Sequence, residues 1–178
     1  MPQAGCKIYD VAVLVTRELE LDHARKQIRD AAVAALEGLI PLTVSGVYPG
    51  RVHPFKTEDL PALSVFTANE VPVRERDVMD GGPADPEQWR ALELLVEVRV
   101  KVASTASPDL LSALDVVALE VERAIEEDAT LAGLLKELDL ASTVQESEGE
   151  NSEAPVGVLM MTWAAVYRCN PADPATIT

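Results

Sequence analysis

The sequence predicts an α+β domain, in which a mainly antiparallel, mixed β-sheet carries two amphipathic helices packed on one face. Three observations support this prediction. Apolar residues recur every three or four residues in two segments, they alternate with polar residues over a third, longer segment, and turn-rich connections join the strands between the helices. With 178 residues, of which 48% are hydrophobic, the chain is long enough to bury a core of its own.

The first predicted helix runs from Asp22, whose side chain can cap it, to Leu39, where Gly38 and Pro41 end it. The spacing of its apolar residues predicts one buried face. This predicted stripe consists of Ile28, Ala31, Ala32, Ala35, Leu36 and Leu39.

The chain before this helix is ambiguous. Residues 1–21 form an arm that stays unassigned, because "IYDVAVLV" is typical of a short strand whereas "TRELELDHARKQ" is typical of a helix. We expect one domain over residues 22–168, followed by a C-terminal tail at residues 169–178.

Four strands are predicted between the helices. The segments "LTVSGVY", "ALSVFTA" and "VPVRERDV" are rich in β-branched or aromatic residues and are bounded by turn residues. Over Trp89–Ala103 a period of two predicts a long strand with a core face and a polar face, which pairs with Val71–Val78 as a hairpin. The core set is Leu92, Leu94, Val96, Val98, Val100 and Val102, and the polar set is Glu93, Glu97, Arg99 and Lys101.

The second predicted helix begins at Ser107 as its N-cap, with Pro108 at the first helical position and Asp109 in the first turn. Its periodicity again predicts one buried and one outward side. The predicted apolar stripe is Leu110, Leu111, Leu114, Val117, Ala118, Val121 and Ile125, and the outward residues are Asp115, Glu122, Glu126 and Glu127.

Two further strands are predicted after this helix. In Lys136–Gln145, Leu138, Leu140 and Val144 alternate with polar residues, whereas Val156–Tyr167 is apolar on both faces, which is typical of a central strand. The acidic segment "ESEGENSEAP" between them predicts an exposed hairpin loop.

The charge balance excludes some classes of function. The chain has 30 Asp and Glu against 15 Lys and Arg, a formal net charge of −15, so it repels phosphate backbones and is not expected to bind DNA specifically. We see neither a secretory signal nor the ~20-residue apolar run of a membrane helix, and expect a soluble protein made in a cytoplasm. Cys6 and Cys169 are expected to be free thiols.

The sequence lacks the motifs that carry recognised catalytic chemistry, such as a GxSxG elbow, a GxxxxGK[ST] phosphate loop or an HExxH zinc pair. His23 and His53 have no nucleophile nearby in the sequence. The acidic segment lacks the alternating oxygen ligands of a calcium loop. We therefore expect no enzymatic activity, no metal and no cofactor.

Several segments, taken in order, resemble a known family. They are the helix from Asp22 to Leu39, "YPGRV", "LPALSVF" followed by Glu70, the alternating strand "WRALELLVEVRVKV", the helix "SPDLLSALDVVALEVERAIEED" and the last strand "APVGVLMMTWAAVYR". Over residues 22–168 the chain resembles the tail terminator proteins of long-tailed bacteriophages and prophages, which are also described as minor tail or tail completion proteins.

The resemblance implies a structural virion protein, assembled in the host cytoplasm, that forms a hexameric ring at the neck end of the tail. Such a ring would cap the finished tail tube, end tube polymerisation and present a surface to the head completion or connector protein. DNA would pass through its lumen without specific binding. The implied partners are copies of the chain itself, the tail tube protein and the connector protein, with no membrane.

Two sets of residues are candidates for this role. The first would contact a neighbouring subunit, the tube or the connector, and consists of Arg51, His53, Phe55, Lys56, Arg74, Arg76, Glu93, Glu97, Arg99 and Lys101. The second would line the lumen and repel the duplex, and consists of Glu122, Glu126, Glu127, Glu146, Glu148, Glu150 and Glu153. The alternatives are a loop packed through Tyr48 and Phe55, and an ordinary solvated acidic face.

Two other functions stay open at this point. Another neck component or the tail tube protein itself would also form rings, but the rings of a tube protein stack indefinitely. From a different class, a small-ligand or regulatory α+β dimer would need a concave apolar pocket.

Overall fold

The computed structural model describes residues 22–38, 46–50, 55–76, 87–101, 110–148 and 156–178, apart from the side chains of residues 57, 147 and 148. A short 3₁₀ helix at Thr57–Asp59 precedes the second strand. The main elements are α1 (Ala24–Glu37), β1 (Val47–Pro49), β2 (Ala62–Pro72), β3 (Gln88–Lys101), α2 (Leu110–Glu127), β4 (Glu137–Glu148), β5 (Val156–Asn170) and β6 (Asp173–Ile177).

The strands form one mixed sheet in the order β1-β2-β3-β5-β4, and β6 pairs with the end of β5. β1 is parallel to β2, and the other pairs are antiparallel. The long strands β3 and β5 occupy the centre, and β4 forms one edge. The predicted α+β class with a mainly antiparallel, mixed sheet is confirmed.

Both helices pack on one face of the sheet, here named the helix-covered face. On β3 this face carries the alternating apolar residues, and on β5 it carries the odd-numbered residues paired with them, such as Trp163 opposite Leu94. Burying each such side chain contributes about 1.5–3 kcal/mol. The buried β3 residues are Leu92, Leu94, Val96, Val98 and Val100, as the period of two predicts. The opposite face is named the outer face.

The start of α1 differs from the prediction. His23 rather than Asp22 is the N-cap, since its Nδ1 accepts a hydrogen bond from the backbone N–H of Arg25 at 3.2 Å. The Asp22 carboxylate is instead paired with Lys26 Nζ at 2.5 Å. The predicted Asp22 cap was wrong because an ion pair one turn into the helix takes its carboxylate. The buried residues of α1 are Ala24, Ile28, Ala32, Val33 and Leu36.

The predicted strand at Val71–Val78 is wrong beyond Pro72. β2 extends through Pro72 and so merges two predicted strands, whereas residues 74–76 are helical. The strand ends at Pro72, although the Val73 N–H still donates a hydrogen bond to the Trp89 carbonyl oxygen at 2.9 Å. The start of the predicted hairpin is confirmed, because Val71 lies opposite Ala91 of β3.

Residues 169–178, predicted as a tail, belong to the sheet. β5 continues to Asn170, and β6 folds back so that Ile177 lies opposite Cys169. The signal for this strand is weak, since it contains a proline and only a short alternation.

β4 is more exposed than predicted. Residues 139–146 are all exposed, with Leu140 at 38% and Val144 at 52%. The pairing shifts at Ala141, from Leu140 opposite Trp163 to Ser142 opposite Thr162. This β-bulge places Leu140 on the helix-covered face and Val144 on the outer face, so their predicted common face was wrong.

Several predictions concern residues that the structure does not describe. They are the arm at residues 1–21, the ends of both predicted helices at Leu39, Ser107, Pro108 and Asp109, the last core residue Val102, and the candidates Arg51, His53, Glu150 and Glu153.

Gly157 of β5 lets α2 approach the sheet closely. A Cβ atom there would lie 2.8 Å from Leu114 Cδ1 and 3.0 Å from Leu110 Cγ. We expect Gly157→Val to lower the free energy of unfolding by about 1–3 kcal/mol, because the packed helix must shift. Urea unfolding measures this loss. The matched control is Ala164→Val on the exposed side of the same strand, for which we expect a change within about 0.5 kcal/mol. Equal losses of unfolding free energy in the two variants would contradict the close packing of α2 on Gly157.

Candidate functional site

The outer face of the sheet carries exposed apolar side chains. Val71 of β2 is 46% exposed and Val144 of β4 is 52% exposed. The register places both on this face, and the half-buried Leu95, Met160 and Val166 of the central strands lie between them. These five residues are named the sheet patch. The exposed side chains of Val71 and Val144 are apolar area that a partner could cover.

Four charged residues of β3 lie on the same outer face. Glu93 and Lys101 are exposed, whereas Glu97 and Arg99 are half-buried and form an ion pair with each other. Their predicted common face is confirmed by the register with β5. Their predicted contact with a partner stays a prediction.

The exposed surface of α2 carries a second apolar set, in which Leu119 points away from the sheet and Leu111 lies at the flank of the helix. Leu111, Val116 and Leu119 are 48%, 52% and 48% exposed, and are named the helix patch. Leu111 was predicted to be buried, and this was wrong. Because an α-helix has about 3.6 residues per turn, Leu111 lies at the border between the buried and the exposed sides of α2. The buried residues of α2 are Leu114, Val117, Val121, Ala124 and Ile125.

The lumen candidates are divided between the two layers of the fold. On α2, Glu126 and Glu127 are exposed and Glu122 is half-buried, whereas Glu146 is exposed on β4. Glu126 follows Leu119 by two helical turns and so lies on the same side of α2. The structure therefore does not gather these carboxylates into one cluster, and their role stays a prediction. Only the backbone of Glu148 is described.

Two guanidinium groups lie against the Trp89 ring at one end of the outer face. The guanidinium carbons of Arg76 and Arg168 each lie 5.3 Å from the centre of the Trp89 ring. Arg76 also donates two hydrogen bonds of 2.8 Å to Glu137, and Arg168 pairs with Glu87 at 2.8 Å. The contact candidate Arg76 is thus engaged within the chain, while Arg74 is exposed.

Arg76 holds the pKa of the Glu137 carboxyl below its ordinary value, through its hydrogen bonds and its charge. A depressed carboxyl pKa stabilises the fold above the unfolded pKa, and this contribution is lost as the pH falls through the folded pKa. We expect Arg76→Gln to raise the pKa of Glu137 toward its ordinary value, and NMR titration of the carboxyl carbon measures this.

The matched control for this prediction is Arg74→Gln, which removes an exposed charge next to the same turn. It should leave the pKa of Glu137 unchanged. The stability difference between wild type and Arg76→Gln should narrow as the pH falls through the folded pKa of Glu137. Equal pKa changes in both variants would show that general charge, not the paired contact, sets the pKa.

A second charged cluster lies beneath α1 on the helix-covered face. The Glu70 side chain, only 12% exposed, binds Arg90 at 2.5 Å and lies 3.5 Å from Arg25 of α1. Arg25 also donates a hydrogen bond to the backbone oxygen of Ala68 at 3.3 Å. Burial raises the pKa of the neighbouring Tyr167 phenol, and the charge of Glu70 raises it further. The cluster joins α1, β2, β3 and β5.

Cys169 lies beside this cluster. It is a buried free thiol, and burial is the main cause that raises its pKa. A thiol with a raised pKa is a poor nucleophile at neutral pH. This agrees with the predicted free thiol, while Cys6 lies outside the described residues.

The described part of the predicted contact loop is partly packed. The Tyr48 and Phe55 rings contact each other with centres 5.4 Å apart, and both are half-buried. The Lys56 side chain is 75% exposed and lies 3.5 Å from Glu58. The ring contact favours the packed-loop alternative for Phe55, whereas Lys56 stays accessible.

A groove of about 350 Å³ lies between the C-terminal ends of α1 and α2. Its volume is at the lower end of the range of ligand pockets, but most of its lining residues are exposed, so it would leave a ligand in contact with water. The Asp128 carboxylate at its rim accepts hydrogen bonds from the Ala132 N–H and the Thr130 hydroxyl, which lower its pKa. The lining residues are Ala31, Ala34, Ala35, Gly38, Ala124, Glu127, Asp128 and Ala132.

Comparison with known proteins gives no family. No family model matches the sequence, and no curated protein matches it. Among the residues that the structure describes, no helix has both the length and the apolar character to cross a membrane. In the same part of the chain, no three His, Cys, Asp or Glu side chains come together as a possible metal site.

Proposed function

We propose that the chain is a non-catalytic structural subunit of a bacteriophage tail, a tail terminator that forms a ring at the neck end of the tail tube. The ring ends tube polymerisation, contacts the head completion or connector protein and leaves a lumen for DNA. The order of segments over residues 22–168 suggests this role. One feature of the structure supports it: the subunit has two different apolar surfaces on opposite sides.

These two surfaces are the sheet patch and the helix patch. The inner side of α2 and the helix-covered face of the sheet share the core, so the helix patch lies on the far side of the helix layer. The sheet patch lies on the far side of the sheet. Leu119 and Val144 each expose about half of their side chains there. Covering these apolar groups with a partner surface is favourable.

Two different surfaces on opposite sides favour head-to-tail association. Such a heterologous contact closes into a ring when the rotation between neighbours divides the circle, and otherwise gives an open filament. A two-fold dimer would bury one patch twice and leave the other exposed. The geometry therefore favours head-to-tail association over a two-fold, ligand-binding dimer, for which the solvent-open groove between the helices offers weak support.

The charge of the chain agrees with a lumen that DNA traverses. A net charge of −15 repels the phosphate backbone, so a passing duplex does not adsorb. Glu126 and Glu146 are exposed, but they lie on the two sides of the subunit that carry the patches, so their place in such a lumen stays a prediction.

Negative-stain images of the purified full chain over a range of concentration test the proposal. We expect isolated rings, which bind to one end of added tail tubes. Tubes that lengthen with protein concentration would show a tube protein instead. Particles without a central opening would contradict any ring.

A further inference from the structure

β4 presents a long backbone edge to solvent. Within the part of the chain that the structure describes, it is the last strand on its side of the sheet; it spans 12 residues, and residues 139–146 are all exposed. In an edge strand, alternate residues direct their N–H and C=O groups away from the sheet, where an added strand can bind them. An exposed edge strand of this length can pair with other chains and aggregate unless features of the protein prevent it.

The bulge in β4 gathers its acidic residues on one face. Asp139 lies opposite Ala164 and Glu146 lies opposite Val158, so both face the outer side of the sheet. An odd and an even position share a face only because Ala141 is the extra residue between them. Both residues are exposed, and no ion pair to either is formed within the described part of the chain.

This arrangement disfavours pairing of β4 with a second copy of itself. Full-length antiparallel pairing of two β4 strands places Asp139 opposite Glu146 twice, and Glu137 opposite Glu148 twice. Like charges directly opposite each other destabilise a strand pair. The charges therefore protect the edge from self-association, yet they leave it complementary to a basic strand.

We propose that β4 is a docking edge for an extended segment of a different protein, which adds to the sheet as a further strand. Basic side chains of that segment face Asp139 and Glu146, and its alternate apolar side chains lie beside Leu138 and Leu140 on the helix-covered face. Main-chain hydrogen bonds provide affinity, and the two carboxylates select a segment that alternates basic and apolar residues. The inference goes beyond the ring, whose contacts use the sheet and helix patches, and it applies equally to a monomer.

The test uses hydrogen–deuterium exchange of the full chain with a capped peptide of alternating Lys and Val, about ten residues long. We expect uptake over residues 137–148 to slow about tenfold at a peptide concentration about ten times the dissociation constant. Uptake in α1 and α2 should not change. A peptide with the same charges but with alternate amides N-methylated cannot form the strand bonds, and should give no protection.

Charge-reversal variants test the selectivity. Asp139→Lys with Glu146→Lys should bind a Glu–Val peptide and lose the Lys–Val peptide. The matched control, Asp115→Lys with Glu126→Lys, makes the same change in net charge on α2 and should keep the wild-type preference. The neutral double variant Asp139→Asn with Glu146→Gln should bind both peptides with similar affinity. It provides a second test of selectivity in case the charge-reversed variant misfolds.

Three outcomes would overturn the proposal. Equal protection by the N-methylated peptide would show adsorption by charge without strand pairing. Protection of the wild type by the Glu–Val peptide would show that the carboxylates select nothing. Protection of residues 137–148 that rises with protein concentration in the absence of peptide would make a second copy the occupant.

Discussion

A single charged residue in the helix patch is expected to break the proposed ring into separate subunits. In Leu119→Glu a carboxylate would have to lose its water against an apolar partner surface. A central interface residue contributes about 2 kcal/mol or more, which corresponds to roughly a thirtyfold loss in each association constant. Because every neighbouring pair in a ring makes the same contact, the loss is repeated around the ring. Light scattering should then give the 19.2 kDa mass of one chain.

The variant Val144→Glu in the sheet patch should have the same effect, and mixing the two variants reveals the geometry. Each variant keeps one intact patch, and the two intact patches are complementary. An equal mixture should therefore form dimers of one chain of each kind and nothing larger. If the contact joined identical surfaces, one of the two variants would retain the wild-type mass. Ala129→Glu, in the exposed turn after α2, adds the same charge outside both patches and should leave the mass unchanged.

Neutralising Glu70 is expected to cause the largest loss of stability among the surface and boundary charges. Glu70→Gln leaves Arg90, whose side chain is only 20% exposed, without its counter-ion and also removes the contact with Arg25. We expect the free energy of unfolding to fall by about 2–3 kcal/mol, because a partly buried charge loses its partner. Urea unfolding near neutral pH measures this fall.

Glu58→Gln is the matched control for Glu70→Gln. Its ion pair with Lys56 involves side chains that are 76% and 75% exposed. Exposed pairs contribute about 0–1 kcal/mol, so this variant should stay close to wild type. Similar small losses in both variants would mean that the cluster beneath α1 does not tie the helix to the sheet.

Local periodicity made much of the fold predictable. The bounds of β3 and its buried residues follow from a period of two that holds over the whole strand, with Leu94 and Val96 as typical members. The buried stripe of α2 follows in the same way from a period of about 3.6 residues, apart from Leu111 at its border. In both cases each residue's position on a face depends only on its neighbours in the chain.

Several features were missed because they depend on distant residues. Whether β4 lies at an edge is decided by which strands pair with β5, and the bulge at Ala141 then moves Val144 to the other face. Arg76 and Glu137 form an ion pair although they are 61 residues apart in the sequence, so no local pattern predicts this pair. The sheet patch combines β2, β3, β5 and β4 and exists only once their order is known.

The measurement that tests the head-to-tail ring most directly is the molar mass of the wild-type chain by light scattering, over a range of concentration and salt. We expect a plateau at roughly six times the 19.2 kDa of one chain, reached without larger species, because a closed ring leaves no free patch. A mass that remains at one or two chains at every concentration would contradict the ring.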